Sequence, residues 1–338
     1  MRKPPRVRLA LRTALRGLAA ANVLALLALW ALEALVAERW WPSILITYVP
    51  QWPFAAPTAL LCLLLLRRPD ARTLAWCAAA AAILAFPLMG LCVPLPLGIP
   101  AGVPVRVVTY NVHGGRAGAG AVAAAIAAQR PSLFCLQEAT PPSGGASLLP
   151  ALRAALPGYR YVSHESLLIG SRLPVRGHQA RVIGRAGARR AALAARLDVK
   201  GRPLTVVNVH FATGATAETL LRRRGALRAY LEQTAAVRGQ QVDNLMALCR
   251  GVGTPLVVCG DLNTPPRGIL YRRLTRQLDD AFSSAGAGFG WTYPAAWPML
   301  RIDHILAGPG VAVRSARVPR VRASDHRPVV ADLVVTGS

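Results

Sequence analysis

The sequence contains few acidic residues and almost no lysine, and it lacks the short motifs that mark thiol, zinc and serine chemistry. Its 338 residues include 40 Lys and Arg residues against 15 Asp and Glu residues, and only Lys3 and Lys200 are lysines. None of the six cysteines forms a C-x-x-C pair, which argues against a disulfide framework and a cysteine zinc site. The absence of H-E-x-x-H, of a phosphate-binding P-loop and of a G-x-S-x-G turn argues against zinc peptidases, P-loop nucleotide hydrolases and serine hydrolases.

The basic residues are distributed along the whole chain. Residues 1–100 contain ten basic and three acidic residues, and residues 101–338 contain 30 basic and 12 acidic residues, a net charge of +18. Such a surface favours polyanions, among them nucleic acid, anionic lipid and phosphorylated substrates. A general composition bias is the alternative explanation, because Ala, Gly, Arg and Pro are all abundant.

The first hundred residues have the composition of a membrane segment. A basic N-terminus precedes an apolar run over about residues 17–37, and further apolar runs cover about 44–66 and 74–97. Each run is close to the ~20 residues that a helix needs to cross a bilayer. The predicted organisation is a membrane segment of about three transmembrane helices at 1–97, a Pro/Gly linker at 98–104 and a globular domain at 105–338.

The charges that flank these runs predict an orientation in an inner or plasma membrane. The N-terminal segment and the loop 67–72 carry arginines, whereas the Glu38-Arg39 loop is neutral. By the positive-inside rule, three spans place the N-terminus in the cytoplasm and the globular domain on the external or periplasmic side. Prolines 50, 53 and 57 interrupt the second run. If this run is only re-entrant, the domain would instead be cytoplasmic.

From about residue 105 onwards, short apolar runs alternate with helical stretches, which predicts an α/β domain. Helices are predicted at about 121–129 and 217–250. Strands are predicted at 105–110, 132–136, 204–209, 256–259, 305–306 and 329–335. Because these strands are almost continuously apolar, we expect a sheet that is covered on both faces.

Polar side chains stand where these strands begin or end. They are Asn111, Glu138, His210, Asp261, Asn263, Asp303, Asp325 and His326. Because strand ends on one edge of a sheet converge, we expect these side chains to form one site. Carboxylate and amide oxygens suit Mg²⁺ or Mn²⁺ better than zinc. The residues therefore predict metal-assisted hydrolysis with a carboxylate or histidine base and a second histidine facing the developing charge.

Six ordered segments resemble those of the endonuclease/exonuclease/phosphatase superfamily, which has the deoxyribonuclease I fold. The segments are TYNVHGG, LQE, NVH, GDLNTPP, RIDHIL and SDHRPV. The resemblance covers about residue 105 to the C-terminus. It implies a four-layer α/β sandwich, in which two mixed sheets pack face to face between outer helices. It also implies a divalent-metal-dependent phosphoesterase that cleaves phosphodiester bonds by attack of water.

The resemblance further implies a role for each matching residue. Those that match the metal site are Asn111, Glu138 and Asp325. Asp261 matches the carboxylate that positions or deprotonates the attacking water, and Asn263 matches the amide that orients the water and the phosphate. His326, held by Asp303, matches the histidine that faces the scissile phosphate, and His210 matches a second histidine facing it.

Some residues near these motifs have a second interpretation. Asp303 has an alternative partner in the adjacent Arg301. His113 lies close to Asn111 and is either a substrate contact or an ordinary loop residue. His304 alternates away from Asp303 along the strand, so we expect it to pack in the interior.

Three functions remain open at this point. The first is a membrane-anchored phosphodiesterase that acts on a lipid headgroup or a small soluble phosphodiester. The second is a membrane-tethered nuclease that degrades external DNA or RNA, for which the basic domain is the motivation. The third is a non-catalytic binding protein, which the complete set of polar residues disfavours. No protein partner is predicted.

Overall fold

Helices form the first part of the chain. They are α1 Pro5–Leu35, α2 Trp41–Tyr48, α3 Ala56–Arg67 and α4 Ala71–Ile83, which continues as the π-helical stretch Leu84–Leu88. Among the residues that the structure describes, two helical stretches are long and apolar enough to cross a membrane, Leu9–Leu35 and Ala71–Leu88. The stretches Trp41–Tyr48 and Trp52–Arg67 meet at 82°, so a third span exists only if this bent pair counts as one. The bend falls among the prolines of the second apolar run, because proline cannot donate a helical hydrogen bond.

The structure, a computed structural model, describes residues 5–67, 69–94, 98, 100–140, 147–184, 190–214, 224–252 and 255–336. Parts of the predicted linker and of the third apolar run, residues 95–97 and 99, lie outside these ranges. Contacts divide the chain into two units, Met1–Leu91 with Arg267–Ile269 and Cys92–Pro266 with Leu270–Ser338. The boundaries predicted from the sequence at residues 97 and 105 stay predictions.

Two buried or half-buried ion pairs stabilise the first unit. Arg16 of α1 pairs with Asp70 at 2.6 Å, and Asp70 caps α4 by accepting the backbone N–H of Thr73 at 3.0 Å. Arg267 lies 3.2 Å from Glu33, and both side chains are almost fully buried. No sequence motif indicated the second pair, because its members are separated by more than 200 residues.

The second unit contains two mixed six-stranded sheets. In chain order the strands are β1 Val103–Asn111, β2 Leu133–Gln137, β3 Arg160–His164, β4 Leu167–Ser171, β5 Val175–Val182, β6 Ala191–Val199, β7 Arg202–His210, β8 Leu256–Asp261, β9 Asp279–Asp280, β10 Asp303–Ala307, β11 Val311–Arg317 and β12 Val329–Val335. The helices are α5 Ala119–Ala127, α6 Leu149–Ala155, α7 Leu227–Val252, α8 Ile269–Thr275 and α9 Ala281–Ala285. The N-terminal part of the predicted helix at 217–250 lies outside the described residues.

The two sheets have the same arrangement of strands around a central parallel pair. One sheet has the order β11-β12-β1-β2-β4-β3 and the other has the order β5-β6-β7-β8-β10-β9. The only parallel neighbours among the described strands are β1 with β2 and β7 with β8. Each parallel pair sits at the centre of its sheet, so the carboxyl ends of four central strands are available to build a site.

Alternating side chains of the central strands fill the space between the sheets and the space under the helices. Val105 and Val107 of β1 belong to the core between the sheets, whereas Val108 and Tyr110 belong to the core under α5 and α6. The second sheet packs its outer face against α7 through residues such as Leu245. Both faces are covered, and the predicted four-layer α/β sandwich is confirmed.

Candidate active site

The central strands bring polar residues of both sheets to one edge. At the carboxyl ends of the parallel pairs, Asn111 lies opposite Gln137 and His210 lies opposite Asp261. Strand β10 runs antiparallel to β8, and its first residue, Asp303, lies opposite Asp261. Within the second sheet, the register therefore gathers residues that are up to 93 positions apart in the sequence.

Asn111 links the two sheets at the centre of this edge. Its Nδ2 donates to Glu138 Oε1 and to Asp261 Oδ2, both at 3.1 Å, and its Oδ1 accepts the backbone N–H of His113 at 3.1 Å. Asn111 and Asp261 are buried, whereas the Glu138 side chain is 37% exposed. Glu138 has a φ of 51°, a left-handed conformation that turns the chain immediately after β2. One amide thus holds two carboxylates from different sheets at the mouth of the site.

The segment after β8 is held by a local turn and by a close backbone approach. Asp261 Oδ1 accepts the backbone N–H of Asn263 at 3.0 Å, and Asn263 Nδ2 donates to the carbonyl of Phe211 at 3.3 Å. A Cβ on Gly260 would lie 1.9 Å from the carbonyl oxygen of Val209, so this position requires glycine. The G-D-L-N sequence therefore supplies the two features that place Asp261 and Asn263. The glycine permits the close backbone approach, and the aspartate accepts the hydrogen bond that forms the turn.

His326 and Asp303 form a buried pair that faces Asp261. His326 Nδ1 donates to Asp303 Oδ2 at 2.8 Å, and its Nε2 lies 3.9 Å from Asp261 Oδ2. Burial opposes the charged imidazolium, but the Asp303 carboxylate prevails and raises the pKa of His326 to about 10. His326 is therefore positively charged at neutral pH. The ring of Tyr293 lies 4.8 Å away and covers the imidazole.

His210 lies on the other side of Asp261 in a different environment. Its Nε2 is 3.5 Å from Asp261 Oδ2 and 3.9 Å from Glu138 Oε1. Its Nδ1 lies 3.4 Å from Nη1 of Arg190, and no carboxylate is seen on that side among the described residues. Burial, followed by the charges of Arg190 and His326, lowers the pKa of His210 well below its ordinary value. The two histidines of the site therefore differ in charge.

The oxygen donors of the site fit a hard divalent cation. The side chains of Asp261, Asp303 and His326 offer ligand atoms within 4.8 Å of one another, and Asp303 Oδ1 is buried without a hydrogen-bond partner among the described residues. Burial and, to a smaller extent, the charge of Asp303 raise the pKa of Asp261 to about 7. His326 already uses Nδ1 on Asp303, so the carboxylates are the better ligands. Glu138 Oε1 and Asp261 Oδ2, which share the Asn111 amide, are carboxylate oxygens that could hold such a cation, and the metal-binding roles of Asn111 and Glu138 stay predictions.

The third predicted metal ligand, Asp325, lies beside a histidine. Its Oδ1 is 3.2 Å from His113 Nδ1, and both side chains are more than a third exposed. Ser324 Oγ also donates to Asp325 Oδ1 at 3.1 Å. His113, for which two interpretations remained open, thus contacts an acidic residue of the SDHRPV segment. The metal-binding role of Asp325 stays a prediction.

The alternative partner for Asp303 is not used. Arg301 instead donates to Asp280 Oδ2 at 2.6 Å, and this pair is almost completely buried. His304 packs in the interior, as its alternation predicted, with Nδ1 at 3.0 Å from Asp280 Oδ2 and Nε2 at 3.1 Å from the carbonyl oxygen of Thr264. This buried network lies behind the loop that carries Asn263. Asp280 belongs to none of the recognised motifs, so sequence reasoning missed it.

A second polar link between the sheets was also missed. Gln137 Nε2 donates to Asn208 Oδ1 at 2.7 Å, and Asn208 Nδ2 donates to the carbonyl oxygens of Leu136 and Leu168. Both side chains are fully buried. They lie inside the LQE and NVH segments, immediately before Glu138 and two residues before His210. Gln137 and Asn208 are polar residues within otherwise apolar strands. This pattern could have indicated a buried hydrogen-bonded pair, because buried polar groups require partners.

The raised pKa of His326 predicts a dependence of stability on pH. Because the folded pKa of about 10 lies above the ordinary value of 6.5, the Asp303 pair should contribute fully below about pH 6.5. This contribution should be lost as the pH rises through about 10. Denaturant titrations from pH 6 to 10 on the parent chain and on His326→Gln measure it. The parent should lose more stability than the variant over this range; parallel curves would contradict the assignment.

Comparison with known proteins places this arrangement in a family. Residues 108–326 match the Endonuclease/Exonuclease/phosphatase family. The chain belongs to this family. The resemblance carried by the six sequence segments is confirmed, and with it the general class, since members of the family are hydrolases that act on phosphoesters. No curated protein matches the chain.

Solved structures of the family share the fold of the second unit. An endonuclease/exonuclease/phosphatase from Bacteroides vulgatus has a TM-score of 0.55 and 20% identity, with 69% of this chain and 99% of that chain covered. The mannosyl-6-phosphatase of Bacteroides thetaiotaomicron has a TM-score of 0.53 and 18% identity, covering 68% of this chain and 99% of its own. Truncated TDP2 from Caenorhabditis elegans has a TM-score of 0.52 and 18% identity, covering 68% and 97%. At these identities, the similarity establishes the fold.

Proposed function

We propose that this protein is a membrane-anchored, divalent-metal-dependent phosphodiesterase that acts on a lipid headgroup or a small soluble phosphodiester. The observation that carries the proposal is the position of Asp261. This buried carboxylate is held by Asn111 at 3.1 Å and lies 3.5 Å from His210 and 3.9 Å from His326. A carboxylate flanked by two imidazoles and an exposed acid supports hydrolysis of a phosphate ester.

Each side chain has a chemical task in this proposal. Asp261 accepts the proton of the attacking water, and the amide of Asn263 orients that water and the phosphate. His326, charged through Asp303, stabilises the negative charge that develops on phosphate and donates a proton to the leaving oxygen. Mg²⁺ or Mn²⁺, when bound, supplies Lewis acidity to the phosphate oxygens.

Removal of divalent cations is expected to abolish the activity. We expect EDTA to lower hydrolysis of bis(4-nitrophenyl) phosphate by the detergent-solubilised full chain by at least ~10²-fold, the size of effect typical for losing an electrostatic stabiliser. Added Mg²⁺ or Mn²⁺ should restore it. Glu138→Gln should require a higher Mg²⁺ concentration than the parent, whereas Glu232→Gln, which changes an exposed acid of α7, should not. Activity that persists in EDTA would contradict metal dependence.

The membrane helices support a substrate at or near a lipid surface. The stretches Leu9–Leu35 and Ala71–Leu88 support a multi-pass anchor in an inner or plasma membrane, with the catalytic domain on the external or periplasmic side if the bent pair is a third span. Headgroup release from vesicles of single phospholipids tests this substrate class. Hydrolysis of bis(4-nitrophenyl) phosphate without headgroup release from any vesicle would favour a soluble phosphodiester.

A second candidate is a membrane-tethered nuclease that degrades external DNA or RNA. The observation that favours it is the 30 basic against 12 acidic residues in positions 101–338. Nicking of plasmid DNA should then require Mg²⁺ and disappear in His326→Ala, and DNA affinity should fall steeply with salt concentration. Absence of nicking with intact phosphodiesterase activity would reject the nuclease. Absence of both activities would favour a non-catalytic binding protein.

A further inference from the structure

In the two histidines of the site, the Nδ1 atom contacts partners of opposite charge. His326 Nδ1 lies 2.8 Å from a carboxylate oxygen of Asp303, whereas His210 Nδ1 lies 3.4 Å from a guanidinium nitrogen of Arg190. Both rings are more than nine-tenths buried, so neither Nδ1 has bulk water as an alternative partner. The difference therefore fixes where each ring carries its protons.

A guanidinium group can only donate hydrogen bonds. When Arg190 donates to His210 Nδ1, that nitrogen must offer its lone pair, and the ring proton must reside on Nε2. The other side of the ring agrees with this assignment. Nε2 lies 3.5 Å from Asp261 Oδ2 and 3.9 Å from Glu138 Oε1, two carboxyl oxygens that can accept a hydrogen bond from a protonated Nε2.

The backbone fixes Arg190 in a position from which it can act on His210. Its carbonyl oxygen accepts the N–H groups of Ile183 and Gly184 at 2.8 and 3.2 Å, where the hairpin of β5 and β6 opens. The next residue begins β6, and Ala192 lies opposite Val209 of β7, the residue before His210. The Arg190 side chain therefore extends from the start of β6 towards His210 on the neighbouring strand β7.

We propose that Arg190 is a positioning residue that keeps the Nδ1 lone pair of His210 turned towards its guanidinium group and the ring proton on Nε2, so that His210 donates a hydrogen bond to a phosphate oxygen. The inference rests on the proposed phosphodiesterase function and divides the work of the two histidines. His326, with protons on both nitrogens, carries positive charge and a transferable proton. His210 supplies a hydrogen-bond donor at Nε2, and its Nδ1 lone pair is turned towards Arg190 and away from the phosphate.

The tautomer can be read directly by ¹⁵N NMR on the full chain in bilayers, labelled at histidine. The chain contains six histidines, and the His210 signals are those missing from His210→Gln. In the parent, Nδ1 of His210 should have the shift of an unprotonated nitrogen and Nε2 that of a protonated one. The lysine variant Arg190→Lys keeps a donor-only group and should retain this pattern. Arg190→Glu should move the proton to Nδ1.

The kinetic consequence is measured with bis(4-nitrophenyl) phosphate and saturating Mg²⁺. Arg190→Leu should lower kcat by ~10–100-fold, the range for residues that orient a site histidine, with a smaller change in KM. Arg190→Lys should recover most of that loss. Arg181→Gln removes an exposed arginine from the same hairpin and is the matched control, with parental tautomer and kcat.

Two results would overturn the inference. One is a parent spectrum in which His210 Nδ1 carries the proton, and the other is a tautomer and kcat that are unchanged in Arg190→Leu. Failure of the proposed function looks different. The parent would then hydrolyse no phosphodiester, while the His210 tautomer would still differ between the variants Arg190→Lys and Arg190→Glu.

Discussion

Replacing His326 by glutamine should lower phosphodiester turnover by ~10²–10⁴-fold, the range for loss of a positioned acid or base. The ring stands between Asp303, at 2.8 Å, and Asp261, at 3.9 Å, and it is charged at neutral pH. Glutamine fills a similar volume but has neither the charge nor a proton to give. Steady-state kinetics with bis(4-nitrophenyl) phosphate should show a fall in kcat and little change in KM.

The same substitution has a consequence for stability that separates two roles of the ring. Removing one partner of a buried ion pair typically costs ~3–5 kcal/mol, because the remaining charge stays buried. His326→Gln should therefore also destabilise the domain by leaving Asp303 unpaired. The double variant His326→Gln/Asp303→Asn removes both charges and should regain part of that stability without regaining turnover. His164→Gln is the control, since this ring is more than a third exposed. Parental turnover in His326→Gln would refute its role.

The second large effect concerns the buried network behind the site. Arg301→Met should lower the free energy of unfolding by ~3–5 kcal/mol, because it leaves the Asp280 carboxylate uncompensated. Arg301 donates to Asp280 at 2.6 Å and to Ser283 Oγ at 2.8 Å, and the side chains of the pair are 3% and 2% exposed. Arg106→Met removes a pair of similar length, 2.7 Å to Asp332, whose side chains are 36% and 31% exposed. That surface change should cost only ~0–1 kcal/mol.

Denaturant titration of the two variants beside the parent measures this contrast. Both substitutions remove one positive charge and keep a long apolar side chain. The difference between their losses of unfolding free energy therefore measures the effect of burial on the ion pair. Equal losses of stability would show that the Asp280 network contributes no more than a surface pair. A larger loss in Arg301→Met would show that the buried pair with Asp280 contributes more to stability than the exposed pair.

Several strands were predictable because they are short, almost continuously apolar runs between polar segments. The runs that became β1, β2, β7, β8 and β12 are apolar on both faces, as strands covered on two sides must be. β6 was not predicted, since its sequence Ala-Ala-Leu-Ala-Ala favours a helix by intrinsic propensity. It is a strand because β5 and β7 supply hydrogen-bond partners on both sides, which overrides local preference. β5 was missed because most of its side chains are exposed and polar.

By itself, the sequence determined the family, the four-layer fold and which polar residues stand at strand ends, because motifs and apolar periodicity are local properties. The tertiary structure alone decided what those residues contact. Asn111 donates a hydrogen bond to Asp261, which lies 150 positions later in the sequence. Arg190 contacts His210 on the neighbouring strand, and Arg301 pairs with Asp280 instead of Asp303. Such pairings depend on strand register and on the packing of one sheet on the other. A charged side chain in the sequence does not reveal which buried partner will compensate its loss of water.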